Sequence, residues 1–208
     1  MAKTFFLGLT GGIASGKSTI ANFFIEKGIP IIDGDKVARG VQEKGSPALR
    51  EIEASFGKEF LLENGELNRK KLGELIFSSK SQREKLDKLM NPFLRQAFEK
   101  EKSFLNGTAP LVVLDIPLLF EKDYRSEVDA VMLAYIHPSE QLKRLMIRDG
   151  LSEEEAIQRI SSQMEMEEKR KRSDFVIDNN GTKESLQEQL EEFFQKMMEE
   201  KDALSKLR

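Results

Sequence analysis

The 208-residue chain has no cysteine, no tryptophan and a single histidine, His137. Without cysteine there is no disulfide, no thiolate metal site and no cysteine nucleophile. One histidine leaves one candidate for imidazole acid–base chemistry. His137 lies just past an apolar run, where a loop residue or a polar cover for a strand is the expected role. No apolar run is long enough to cross a membrane. The N-terminal apolar run, Phe5 to Leu9, meets glycines at once and is better used as a strand than as a signal peptide. A dominant charge is also missing. Lysine and arginine number 33, aspartate and glutamate 36, and the net charge is −3. Non-specific nucleic-acid binding is therefore not favoured. There are no repeats and no low-complexity segment. A cytoplasmic protein with no nucleic-acid or membrane partner is the expectation, as a monomer or weak homo-oligomer.

What is present centres on Phe5 to Phe24, FFLGLTGGIASGKSTIANFF. Phe5 to Leu9 reads as a buried strand. Gly11, Gly16, Lys17 and Ser18 match G-x-x-x-x-G-K-[ST], the phosphate-binding loop. Its glycines let the backbone turn tightly and aim several N–H groups at one anion. Ser18 to Phe24 reads as a helix start, so the positive end of its dipole faces the same place. Lys17 adds a point charge for the β- and γ-phosphates, and the Ser18 hydroxyl is placed to ligate Mg²⁺. The expected ligand is a nucleoside triphosphate with Mg²⁺.

Helix one is expected to end at Gly28. A second strand, Ile29 to Ile32, runs into Asp33-Gly34-Asp35, and carboxylates at the ends of parallel strands lie where such sheets bind ligands. Asp35 serves equally as the N-cap of a helix Lys36–Glu43, whereas Asp33 lies too early to cap. Pro47 to Leu105 reads as a mostly helical insertion. Pro47 opens a helix, Asn64-Gly65 marks a turn, Asn68 and Ser81 are expected caps, and Asn91-Pro92 breaks or restarts a helix.

Leu111 to Leu114 is a continuous apolar run with Asp115 at its tip, the pattern of a central parallel strand offering a carboxylate to a Mg²⁺ shell. Val128 to Ile136 is another buried strand. Arg144 and Arg148 share a helix face. Ser152 to Glu155 is a capping box opening a helix that runs into the basic cluster Glu168–Arg172. That cluster reads either as a solvated helix face or as part of a mobile lid whose arginines close over phosphates. Phe175 to Ile177 is the last strand, and Thr182 caps a final helix whose buried stripe is Leu186, Leu190, Phe193, Phe194 and Met197.

The alternation predicts an α/β fold: a three-layer α/β/α unit around a parallel sheet of about five strands. The core covers about 1–32, 108–143 and 173–208, a helical acceptor-binding insertion about 33–107, and a lid about 144–172. The chain lacks the N/T-K-x-D motif of guanine-nucleotide switches. Two insertions around a small core suit a kinase that covers donor and acceptor and excludes water.

The chain resembles the dephospho-coenzyme A kinases. The resemblance rests on GLTGGIASGKST at Gly8–Thr19, Asp33-x-Asp35 with Ala38-Arg39, and LDIPLLFE at Leu114–Glu121. It continues through QLKRLMIRDGLSEEEA at Gln141–Ala156, then Gln163, and SDFVIDNNG at Ser173–Gly181. It implies a P-loop nucleoside-monophosphate-kinase-like fold and ATP-dependent phosphorylation of the ribose 3′-hydroxyl of dephospho-coenzyme A. Many relatives carry His-Pro where this chain has Asn91-Pro92.

On this reading Gly12, Ile13, Ala14, Ser15, Gly16, Lys17, Ser18 and Thr19 cradle ATP. Ser18 holds Mg²⁺, with Asp115 sharing it through water. Asp33 accepts or orients the hydroxyl proton. Arg148, with Arg144, offsets charge on the transferred group, and Asn179 lies near the adenine. Asp35, Arg39, Asn91, Asp115 and Leu118 complete the acceptor-facing set. The competing readings are a kinase for a nucleoside or nucleoside monophosphate and a non-catalytic ATP-dependent regulator.

Overall fold

A computed structural model describes residues 3–206, with side chains through residue 199. In chain order the elements are β1 (Phe5–Gly11), α1 (Lys17–Glu26), β2 (Ile31–Asp33), α2 (Gly34–Val41), α3 (Pro47–Phe56), α4 (Arg69–Ser78) and α5 (Lys80–Leu105). There follow β3 (Leu111–Asp115), β4 (Ala130–Tyr135), α6 (Pro138–Asp149), α7 (Glu153–Ser161), α8 (Met166–Arg172), β5 (Phe175–Asp178) and α9 (Lys183–Lys206). They form two compact units, one reaching Ile32 and resuming at Leu105, the other Asp33–Phe104.

The first unit holds a five-stranded sheet in the order β2-β3-β1-β4-β5. β1 runs parallel to β3 and β4, and β4 parallel to β5. The register sets Leu9 beside Asp115, and Gly11 beside Ala134. β3 is apolar from Leu111 to Leu114 and β4 along its length, as strands covered on both faces must be. Leu7, Leu9, Val113, Met132 and Ile177 meet Ile20, Phe23 and Phe24 of α1 and Leu186, Leu190, Phe193 and Met197 of α9 in one core. Edge-to-face ring pairs join Phe193 of α9 to Phe24 of α1 and to Phe175 of β5. The chain leaves β1 toward one side of the sheet and later adds β4 on the other. The C-terminal end of β1 is thus a topological switch point, where open parallel sheets bind ligands.

The second unit is helical, with Leu49, Ile52, Phe60, Leu72, Leu86 and Met90 as its core. Ser46 and Asn68 cap α3 and α4, and Pro47 sits in the first turn of α3. Asn64-Gly65 turns the chain between Leu61 and Leu67, which bridge antiparallel.

Four sequence expectations are corrected. Asp33, not Asp35, caps α2: its Oδ1 accepts from the backbone N–H of Asp35 and of Lys36, each at 3.0 Å. Asp33 keeps an extended backbone, so the helix starts at Gly34 and Asp35 lies in its first turn. Ser79 rather than Ser81 accepts from the Gln82 N–H. Pro92 lies inside α5 rather than ending it. A proline removes one helical bond, but Leu86 and Met90 before it and Phe93 and Leu94 after it pack into the same core. The helix from Ser152 is two helices, α7 and α8, because the link between them is drawn into tertiary bonds described below.

Candidate active site

The phosphate loop joins β1 to α1. Gly16 caps α1 with φ 83°, a region that favours glycine. A Cβ there would also stand 2.1 Å from the Asn179 amide nitrogen. That nitrogen donates to the Ser15 carbonyl at 2.8 Å, and Asn179 is itself buried. Ala14 holds φ 60°, an unusual conformation for a residue with a Cβ. The loop is closed within itself by Ser15 N–H to the Gly12 carbonyl at 3.1 Å and Thr19 N–H to the Gly16 carbonyl at 2.9 Å. Beneath it the Ser15 hydroxyl is buried with no hydrogen-bond partner among the described residues.

Lys17 opens α1, and its ammonium donates to Asp115 Oδ1 at the tip of β3. Both side chains are largely shielded, at 18% and 17% exposure, so the pair is held rather than adrift in solvent. Ser18 and Thr19 are exposed on the first turn. Arg144 donates to the Asn179 carbonyl at 2.9 Å. The sequence-predicted donor residues Gly12 to Thr19, Asp115, Arg144 and Asn179 are thereby joined by direct contacts at the C-terminal edge of the sheet.

Arg148 makes a different contact. It grips Asp149 with two bonds, at 2.8 and 3.1 Å, and Arg159 of α7 reaches the same carboxylate at 3.0 Å. The Arg148 bonds hold the Asp149 carboxyl below its ordinary range and raise the guanidinium above its own. His137 caps α6, its Nδ1 receiving the Ser139 N–H at 3.3 Å, as suits a loop residue. Leu118 is half-buried in the turn after β3.

In the helical unit Asp33 is partly exposed and anchored through Oδ1, with Lys36 3.7 Å from Oδ2. Asp35 and Arg39 are exposed on α2. The Arg39 carbonyl accepts from Arg69 at 3.4 Å, and Asn91 Oδ1 accepts from Arg95 at 3.2 Å.

The basic cluster divides. Lys171 and Arg172 are solvent-facing and pair with Glu168, as the solvated-face reading expects. Lys169 is fully buried, 2.8 Å from Glu121 Oε1 and 3.4 Å from the Pro117 carbonyl. Tyr135 of β4 donates to Glu167 at 2.5 Å, which raises the phenol's pKa, and Arg170 lies over its ring. α8 is thus docked on the sheet. Met166 and Lys169, three apart on α8, share its buried face; that spacing is the signal that singles Lys169 out of the cluster. Sequence reasoning also gave no role to Gln141, Gln163 or Arg159. Gln141 and Arg159 lie on helices and Gln163 in a link, and a single polar residue in any of these places carries no periodicity to reveal it.

A divalent ion fits only with help from a ligand. Among the described residues no group of three or more acidic, histidine or cysteine side chains can hold one. A hydroxyl and one carboxylate beside an anion cradle are the donor set of a Mg²⁺ that takes its remaining oxygens from phosphates and water.

A dephospho-CoA kinase family model matches residues 5–185. The chain is 46% identical to a dephospho-CoA kinase of Listeria innocua over 97% of this chain and 100% of that one. It is 48% identical to one of Arabidopsis thaliana, over 89% of this chain and 80% of that one. Among solved structures, a dephospho-CoA kinase from Campylobacter jejuni superposes with a TM-score of 0.71 at 29% identity, covering 92% of this chain and 96% of the other.

Proposed function

The chain belongs to the dephospho-CoA kinase family, and we propose how its residues carry out that family's reaction. The γ-phosphoryl group of ATP passes to the ribose 3′-hydroxyl of dephospho-coenzyme A, the last step of coenzyme A synthesis. A bond forms from the 3′-oxygen to the γ-phosphorus. The bond from that phosphorus to the β–γ bridging oxygen breaks. ADP leaves with the electron pair, and the hydroxyl proton is taken up by a base. The transfer demands positioning and charge neutralisation more than covalent chemistry from the protein.

The loop Gly12 to Thr19 receives the phosphates on the amides that it does not spend on its own closure or, at Ile13, on Gln163, and Lys17 contributes its charge. The observation that carries this reading is the Lys17–Asp115 bond at the mouth of a backbone cradle. It places the one cation of the loop and the one carboxylate of β3 together where phosphates would enter. Ser18 and Asp115 would hold Mg²⁺, the latter through water; the ion would supply charge neutralisation on the phosphate oxygens. Asn179 braces Ser15 near the adenine side. Arg144, fixed by Asn179, and Arg148, fixed by Asp149, offset charge on the transferred group.

The helical unit is assigned to the acceptor. Asp33 Oδ1 is occupied by two amides, leaving Oδ2 to orient the 3′-hydroxyl and take its proton. Asp35, Arg39 and Asn91 of the helical unit are assigned to the acceptor, Asn91 through hydrogen bonds rather than an imidazole, and Leu118 of the sheet unit is a further acceptor contact on the same reading. α6 and α7 cover the nucleotide, while α8 stays docked as their base.

The test is a panel of acceptors offered with ATP and Mg²⁺. Dephospho-coenzyme A is expected to yield ADP and a product phosphorylated at the 3′-position. Turnover on a nucleoside or nucleoside monophosphate with none on dephospho-coenzyme A would overturn the assignment. ATP binding with no turnover on any acceptor would favour the regulator.

A further inference from the structure

Ile13, the third residue of the phosphate loop, has both backbone groups taken by glutamines. Its N–H donates to Gln163 Oε1 at 2.8 Å. Its carbonyl accepts from Gln141 Nε2 at 2.8 Å. Gln141 belongs to α6 and is buried. Gln163 lies in the short link between α7 and α8. Close packing keeps this arrangement in place: a Cβ on Gly12 would fall 2.5 Å from Gln141 Nε2 and 2.8 Å from the Met166 methyl.

The link itself is pinned on its other side. Met164, next to Gln163, donates its N–H to Glu121 Oε1 at 3.0 Å. The same oxygen meets the buried Lys169 ammonium at 2.8 Å. Four residues of link therefore touch the phosphate loop at one point and the segment following Asp115 at another. A buried ion pair is a poor way to gain stability, because desolvation offsets its attraction. Moving either group away would leave a buried charge unpaired, which holds the link where it is.

We infer that Gln163 is a positioning residue for the triphosphate: with Gln141 it clamps Ile13 and ties the phosphate loop to the base of the covering helices. This rests on the reading of the loop as the ATP site. A loop amide held by a side chain cannot turn away, so the cradle keeps its curvature before the nucleotide arrives. Preformed donors bind an anion without a reorganisation cost at the moment of binding. The clamp also makes the α7–α8 link part of the nucleotide site, so that nucleotide binding and order in the link are coupled, each strengthening the other.

Gln163→Met tests this, because methionine has similar length but cannot accept from the Ile13 N–H in the same way. ATP affinity is read by titration calorimetry, which needs no acceptor; kinetic constants are read separately. The nucleotide-free melting temperature is measured alongside. The expected result is ATP binding about fivefold to tenfold weaker, the scale of one net hydrogen bond. The KM for dephospho-coenzyme A stays unchanged, and the nucleotide-free melting temperature falls by no more than the loss of one hydrogen bond allows. Hydrogen exchange should show ATP protecting residues 162–166 in the unsubstituted protein and no longer protecting them in the variant. Unchanged ATP affinity would overturn the inference. So would equal weakening for both substrates with a melting temperature lowered beyond that, the mark of a merely structural residue. If the unsubstituted protein binds ATP but does not phosphorylate dephospho-coenzyme A, the proposed function fails while the clamp is still judged by the calorimetry.

Discussion

The sheet unit and the helical unit carry their recognition groups in different ways. In the sheet unit the groups proposed to meet phosphate are backbone amides, in a loop whose turns include the left-handed residues Gly16 and Ala14. In the helical unit the candidate groups are side chains, and several are already spent on local structure. Asp33 caps α2, and Asn91 bonds Arg95 within α5. A backbone site must be held by what packs around it, so substitutions there act through shape. A side-chain site can be altered group by group while the helices persist. The two units should therefore respond to mutation in different ways, and four substitutions probe that difference.

The largest effect is expected from Lys17→Ala, which removes the only charge the loop itself offers. Turnover should fall by about 10²- to 10³-fold, the range for losing a preorganised electrostatic contact, as read by coupled ADP release. Unaltered turnover would remove the phosphate loop from the mechanism. Asp33→Asn follows. Asparagine caps a helix about as well as aspartate, so melting should not change, while loss of the proton acceptor should slow transfer by about 10²-fold. If the rate holds as well as the melting, Asp33 is a cap and nothing more.

Gly16→Ala should instead act through fold and binding together. The positive φ alone costs on the order of 1–3 kcal/mol, and Asn179 must move as well. Chemical denaturation and ATP titration should both register the change; a variant that matched the parent in both would refute the packing argument. The smallest effect belongs to Arg159→Ala, one partner of a partly exposed ion pair. Pairs of this kind contribute about 0.2–1 kcal/mol, so turnover should drop by no more than about fivefold, with α7 exchanging its amides faster.

The pH dependence of that same contact follows from Asp149. Its carboxyl is held below the ordinary value by Arg148. A depressed carboxyl contributes stability above its unfolded value, about 4, and loses it as pH falls through the folded value. The α6–α7 junction should therefore keep its neutral-pH exchange pattern down to about pH 4 and loosen only below it. Loosening at neutral pH would show that Asp149 is not the joint.

How much of this could be read from residues alone divides along the same line. The phosphate loop, the strand ending in Asp115 and the stripe of α9 follow from fixed spacing and apolar runs, and the structure has them where expected. Gln163 is marked in the sequence only through the resemblance and Lys169 only through its spacing from Met166; the contacts of both are hidden there, because their partners lie far off in the chain. Gln163 and Ile13 are 150 residues apart. Asp33 caps α2 although its place directly after the apolar run reads as too early, since cap position depends on where the strand stops, a boundary that periodicity does not fix. Pro92 misled because tertiary packing on both sides of it outweighs one missing helical bond.

The most direct measurement is a structure with an unreactive ATP analogue and dephospho-coenzyme A bound together. The account predicts the ribose 3′-oxygen at about 2.6–3.2 Å from the Asp33 carboxylate, in line with the γ-phosphorus, with Lys17 on the phosphates. A 3′-oxygen held instead by another group, or out of line with the triphosphate, would contradict it.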